Sequence, residues 1–161
     1  PEVRTALIKA LSIASGGKGM VGGQMIDLVA EHSNADMKTI TRIQRLKTGA
    51  LISFSCEAGA IIGGAAKEER QALLDYAHDL GLAFQIADDL LDVLGTSEDT
   101  GKTTQKDEAA GKATFVSLLG VSEAQERAEL LIEHAIERLD MFGKKAAHLR
   151  SIANFVVKRR A

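Results

Sequence analysis

With 161 residues, 45% of them apolar and 26% charged, the chain has the composition of one globular domain that can bury a core, not of a disordered polypeptide. Its formal net charge of −2 gives no electrostatic case for nucleic acid as a partner. Cys56 is the only cysteine, so a reducing, cytoplasmic setting is expected, and no run of roughly 18 apolar residues marks an integral membrane segment.

The pattern is helical almost throughout, and the one proline stands at position 1. Residues 2–15 place Val3, Ala6, Leu7, Ala10, Leu11 and Ala14 at spacings of three and four, which predicts an amphipathic helix. Ser15-Gly16-Gly17-Lys18-Gly19 ends it. A short helix follows over about 20–31, then a polar turn at 32–36. Residues 37–64 read as one long helical segment with Asp36 as its N-cap and Gly63-Gly64 as its stop. Cys56 lies in an apolar part of it, where a buried structural thiol is expected. A further helix spans 67–94 and ends at Gly95. Residues 95–113, rich in Gly, Thr and Lys, read as a long loop, and helices are expected at about 114–119, 122–142 and 145–157. The expected fold class is all-α. Because the chain opens at Pro1 already in helical register, a piece of a longer protein is expected.

The densest chemistry lies in Phe84-Gln85-Ile86-Ala87-Asp88-Asp89-Leu90-Leu91-Asp92. At about 100° per residue, Gln85, Asp88, Asp89 and Asp92 fall in a wedge of roughly 100° on one side of the helix. Carboxylates about 6 Å apart repel by roughly 2–3 kcal/mol per pair at an effective dielectric near 20, and a divalent cation reverses that sign. Such hard oxygen ligands suit Mg²⁺, which bridges to phosphates. A solvated acidic face is the plainer reading. The flanking Phe84, Ile86, Leu90 and Leu91 favour the wall of a cavity.

Lys47 projects into the middle of the apolar face formed by Ile40, Ile43, Ala50, Leu51, Phe54 and Ala58. It must snorkel out along its stem or meet an anion within a cavity. Thr48 and Gly49 beside it make a local kink expected, one that frees backbone carbonyls. The loop adds Lys102, Lys106 and Lys112. Gly101-Lys102 lacks the glycine spacing and preceding strand of a P-loop. Basic residues beside carboxylates still fit a polyphosphate ligand. Together these residues describe an α-helical cavity for a diphosphate on an apolar substrate, with Thr48 and Gln85 as neutral dipoles for a developing carbocation.

The residues that carry these features resemble the trans-isoprenyl diphosphate synthases (polyprenyl synthetases), close to bacterial farnesyl diphosphate synthases. The matching segments are Gly19 to Asp27, Lys47 to Leu51, Phe84 to Asp92, Gly101-Lys102 through Lys106-Asp107, Gly111 to Phe115 and Phe155 to Arg160. They follow the family's order across essentially the whole chain. The resemblance implies an all-α helical bundle of the prenyl-synthase type, truncated at its N-terminal side, so that residues 1–161 are the C-terminal half of a single domain. Asp88, Asp89 and Asp92 would hold Mg²⁺ bridged to an allylic diphosphate. Lys47, Lys102 and Lys112 would contact that diphosphate, and Thr48 and Gln85 would face the cation. The implied activity is condensation of dimethylallyl or geranyl diphosphate with isopentenyl diphosphate to a longer trans-prenyl diphosphate, farnesyl diphosphate being the expected product. A homodimer is also implied. The family's first aspartate-rich motif has no counterpart in this sequence, so the 161-residue chain alone is expected to be inactive. A class I terpene cyclase and a non-catalytic subunit of a prenyl synthase are the alternative readings.

Overall fold

A computed structural model describes residues 1–30, 35–94 and 113–159, and every regular element among them is helical. Helix α1 (Glu2–Ser15) and helix α2 (Met20–Ala30) lead to α3 (Met37–Gln44), which passes through a π-helical turn at Arg45–Gly49 into α4 (Ala50–Ile62). Helix α5 (Lys67–Leu94) follows, and then α6 (Phe115–Leu119), α7 (Val121–Arg138), a 3₁₀ stretch (Asp140–Ala146) and α8 (Ala147–Lys158). No helix among the described residues is long and apolar enough to cross a membrane.

Helix α5 is the post around which the others stand. It packs most extensively on α7 and also meets α4, α6, α8 and the π turn. Its buried face carries Tyr76, Ala77, Leu80, Ala83 and Ala87, which pack with Ile132, Ala135 and Leu139 of the α7 end and with Ala153 and Val156 of α8. Tyr76 is buried, and its hydroxyl donates to the Leu149 carbonyl at 2.9 Å, which satisfies the one polar atom the ring brings into the core. Further along, Ile86 packs with Ile40, Phe115, Val116, Ala124 and Ala128 in a second core. Cys56 is half-buried against the first core, and burial pushes its thiol pKa up, as suits a structural thiol.

The expected boundaries hold closely where the chain gives local signals. The Asp36 side chain accepts from Thr39 N at 2.8 Å and caps α3. Residues 37–64 are continuous through the π turn until Gly63 N donates to Gly59 O at 2.9 Å. The expected helix over 122–142 instead ends at Arg138. The chain kinks there at Gly143, whose φ of 53° and ψ of −133° are not helical, and Arg150 donates to the carbonyls of Leu139 at 2.9 Å and Gly143 at 2.6 Å across the bend. The loop expected at 95–113 and most of the turn at 32–36 lie outside the described residues.

Helix α1 corrects its stripe. Ala6, Ala10 and Ala14 are at least half-buried, and α4 is the helix's main neighbour, but Val3 and Leu11 are exposed, as are Ile8 and Ile13. On α2, Val21, Met25, Leu28 and Val29 are exposed too.

A Cβ on Gly23 of α2 would stand 2.4 Å from Lys47 N and 2.8 Å from the Leu46 Cβ, so only glycine admits the π turn this closely. Gly23→Ala gains about 1 kcal/mol of helix propensity but incurs roughly 1–3 kcal/mol of overpacking. A net loss of urea stability is expected, and a stabilised variant would refute the close approach. Asp79 of α5 pairs with Arg138 at 3.9 Å, yet burial holds its carboxyl above the usual 3.8 against the pull of His78, Arg138 and His134. A folded pKa above the unfolded one means that stability falls as pH rises through the folded value and is fully retained only below the unfolded value. Asp79→Asn should therefore melt higher than wild type at pH 7 and lose that advantage near pH 3; thermal scans at the two pH values check it.

Candidate diphosphate and metal site

The π turn is where the site begins. A π turn shifts hydrogen bonding to the fifth residue and leaves carbonyls short of their usual donors, and such turns recur at functional positions. Here it comprises Arg45-Leu46-Lys47-Thr48-Gly49, the place where the sequence predicts a kink. Two glycines from neighbouring helices let it sit tightly. Gly23 of α2 is one, and Gly81 of α5 is the other, with a virtual Cβ only 3.3 Å from the Gly49 Cα.

Lys47 meets an anion inside the protein. Its Nζ donates to Asp27 Oδ2 at 2.6 Å, and the lysine side chain is 35% exposed while that of Asp27 is 4% exposed. Asp27 follows Gly23 by one turn of α2, so both face the π turn. The buried carboxylate holds the terminal ammonium of Lys47, while part of the side chain still reaches solvent. Asp27 closes the matching segment Gly19 to Asp27, and its residue type alone points to no role. Its signal is an acid inside the otherwise uncharged run Met20–Ala30.

Because Gly81 rests on Gly49, the stripe Gly81–Gln85–Asp88–Asp92 starts at the π turn and runs along α5. At 1.5 Å per residue Asp88 lies about 10 Å further along the helix axis than Gly81. Thr48, Gln85 and Asp92 are half-buried, and the Asp88 side chain is 64% exposed. Asp89 takes a different place. It points about 80° from Gly81 around the helix, is 7% exposed, and accepts from Phe115 N at 2.9 Å. That bond satisfies a free amide in the first turn of α6, while Thr114 and Ser117 form a capping box beside it. The wedge thus divides: Asp88 and Asp92 line the stripe, and Asp89 ties α5 to the start of α6.

Asp88 has a cationic neighbour. Arg159 Nη2 donates to Asp88 Oδ1 at 3.1 Å, and the guanidinium lies 4.2 Å from the centroid of the Phe84 ring. The sequence gives only a basic ending as a hint of this contact. Lys102, Lys106 and Lys112 lie outside the described residues.

No group of three His, Cys, Asp or Glu side chains converges among the described residues into a self-contained metal cage. The donors nonetheless fit Mg²⁺, which needs only one or two carboxylates when waters and phosphate oxygens complete its octahedron. Asp88 and Asp92, one turn apart on a single stripe, are such a pair.

Residues 5–152 match the polyprenyl synthetase family. The dimethylallyltranstransferase of Fischerella ambigua is 46% identical over 154 residues, which cover 95% of this chain and 44% of that protein. A crystal structure of an FPP/GFPP synthase from Zymomonas mobilis is 53% identical with a TM-score of 0.85, over 98% of this chain and 52% of that one. The geranyltransferase of Helicobacter pylori, solved with magnesium and isoprenyl diphosphate, gives 33% identity and a TM-score of 0.81 over 98% and 52% of the two chains. The chain spans about half the length of the curated relatives it matches. With family match, sequence identity and superposition all in agreement, the chain belongs to the polyprenyl synthetase family and has its all-α isoprenyl synthase fold.

Proposed function

We propose that the intact protein is a trans-prenyltransferase that joins an allylic diphosphate to isopentenyl diphosphate. The observation that carries this reading is the stripe Gln85–Asp88–Asp92 running out from a π turn that presents Lys47 and Thr48. In the reaction the allylic C1–O bond breaks and diphosphate leaves with the electron pair. The double bond of isopentenyl diphosphate attacks C1, and the resulting cation loses a proton to the diphosphate. Lys47 binds the leaving diphosphate. The Thr48 hydroxyl and the Gln85 amide stabilise the allylic cation with neutral dipoles, which neither capture it nor repel it. Asp88 and Asp92 would hold Mg²⁺, which would neutralise the diphosphate charge, while Asp89, expected as a third ligand, bonds Phe115 N and anchors the helix that carries them. Lys102 and Lys112 complete the anion site in this proposal. Farnesyl diphosphate is the proposed product, in keeping with the names of an Escherichia coli relative and the Zymomonas structure.

We read residues 1–161 as the C-terminal half of a single all-α domain that works as a homodimer. The exposed apolar residues of α1 and α2 support a covered surface there in the intact protein. The isolated chain is then inactive, because its described part holds only one acidic wall.

In the intact protein, Asp88→Ala should lower turnover of geranyl diphosphate with isopentenyl diphosphate by about 100-fold or more. Wild-type turnover in that variant, assayed with Mg²⁺, would remove the basis of the proposal. Asp27→Asn keeps shape but drops the charge that orients Lys47. It should raise KM for the allylic diphosphate roughly tenfold. In a Lys47→Ala background the same change should cost little more, since the two side chains act as one unit. Additive effects would separate Asp27 from Lys47.

A further inference from the structure

We propose that Arg159 is a built-in competitor for the divalent cation at Asp88, a latch that closes the acidic stripe until the metal arrives. The proposal rests on the reading of Asp88 as a metal ligand. Arg159 follows the last residue of α8 and has extended backbone angles, φ −62° and ψ 146°. Its side chain folds back onto α5 and is only 13% exposed. Two contacts seat it: the ion pair from Nη2 to Asp88 Oδ1 at 3.1 Å and the stacking over Phe84 at 4.2 Å. Phe84 and Asp88 are one turn apart on α5, so ring and carboxylate form a two-sided seat for a flat cation.

The seat is poor in one respect that makes it reversible. Arg159 Nε is buried and finds no hydrogen-bond partner. A buried donor without an acceptor favours release, because water satisfies it once the side chain swings out. Release is also local. The Arg159 backbone N–H to Phe155 O bond, 2.9 Å, is the last of its helix, and the carboxylate that the side chain leaves is largely exposed.

The guanidinium and a divalent cation cannot share Asp88 on equal terms. Mg²⁺ binds carboxylate oxygen at about 2.0–2.1 Å and demands a regular octahedron of oxygens. A guanidinium hydrogen-bonded to the same carboxylate and packed on the neighbouring ring presents only donors to that octahedron. The two cations also repel each other. By linkage, the metal weakens the latch by the same factor as the latch weakens the metal. A latch closed in about 70–90% of molecules reduces apparent metal affinity roughly three- to tenfold.

The test uses the intact protein and Mn²⁺ as probe, with free Mn²⁺ followed by electron paramagnetic resonance and no substrate present. Arg159→Met keeps an apolar stem on Phe84 and removes the charge. It should bind Mn²⁺ about three- to tenfold more tightly than wild type, while Asp88→Asn should bind it more weakly. A second readout is the rate of trypsin cleavage after Arg159, which needs that side chain free. Cleavage in wild type should accelerate with Mn²⁺, and in Asp88→Asn it should be fast without it. Equal Mn²⁺ affinity in Arg159→Met and wild type, with affinity lost in Asp88→Asn, overturns the latch and leaves the metal reading intact. Unchanged affinity in Asp88→Asn overturns both. Should Arg159→Met fold badly, the wild-type cleavage arm decides: no Mn²⁺ effect there refutes the latch.

Discussion

Helix α5 has to satisfy two demands that pull against each other. It is packed by α4, α7, α8 and the π turn, so most of its circumference must be apolar and small. Yet three aspartates of one short stretch stand at its C-terminal end, where exposed helix carbonyls already concentrate partial negative charge. The structure resolves the conflict by sending the carboxylates in different directions. Asp89 is turned inward to a backbone amide, Asp88 is paired outward with an arginine, and Asp92 continues the stripe. The acidic end of α5 is thus held by donors from α6 and from the end of α8, and these contacts also fix where those helices sit.

The same logic governs the π turn. An extra residue in a helical turn is unfavourable by itself and persists only where its surroundings over-determine it. Here the turn is clamped by Gly23 on one side and Gly81 on the other, and Lys47 is tied across to Asp27. Anion-binding lysine and hydroxyl therefore sit on a segment with little freedom, as a site for a charged leaving group needs. Pre-organised donors and dipoles stabilise developing charge without reorganising at the moment of reaction.

Much of this was legible in the residues. Spacing alone places helices at 2–15, 37–64 and 67–94, and Asp36, Gly63 and Arg45–Gly49 fall where capping and kinking chemistry puts them. Chemical type alone singles out Lys47 and the aspartates. What spacing cannot reveal is partnership. Asp88 and Asp89 are adjacent letters of one kind, and only the approach of Phe115 and Arg159, 26 and 71 residues away, gives them different work. Asp27 and Lys47 are 20 residues apart and become one unit only when Gly23 lets α2 close on the π turn. The end of α7 is a case of the same kind, since Arg150 of α8 takes the Leu139 carbonyl where the chain kinks toward Gly143. The exposed residues of α1 fail the stripe because a helix with one main neighbour cannot bury a full face.

One feature of the α5–α7 contact bears on how this fold tolerates change. Its buried positions include Ala77, Ala83 and Ala87 on one helix and Ala124, Ala128 and Ala135 on the other. Small residues let two helix backbones come close, and there is little side chain left to remove. Trimming, the usual way a core is interrogated, has almost no purchase at these alanines, unlike Leu80, Ile86 and Ile132 beside them. Their evolutionary freedom is one-sided: drift toward larger residues forces the helices apart, and with them the acidic stripe that α5 carries.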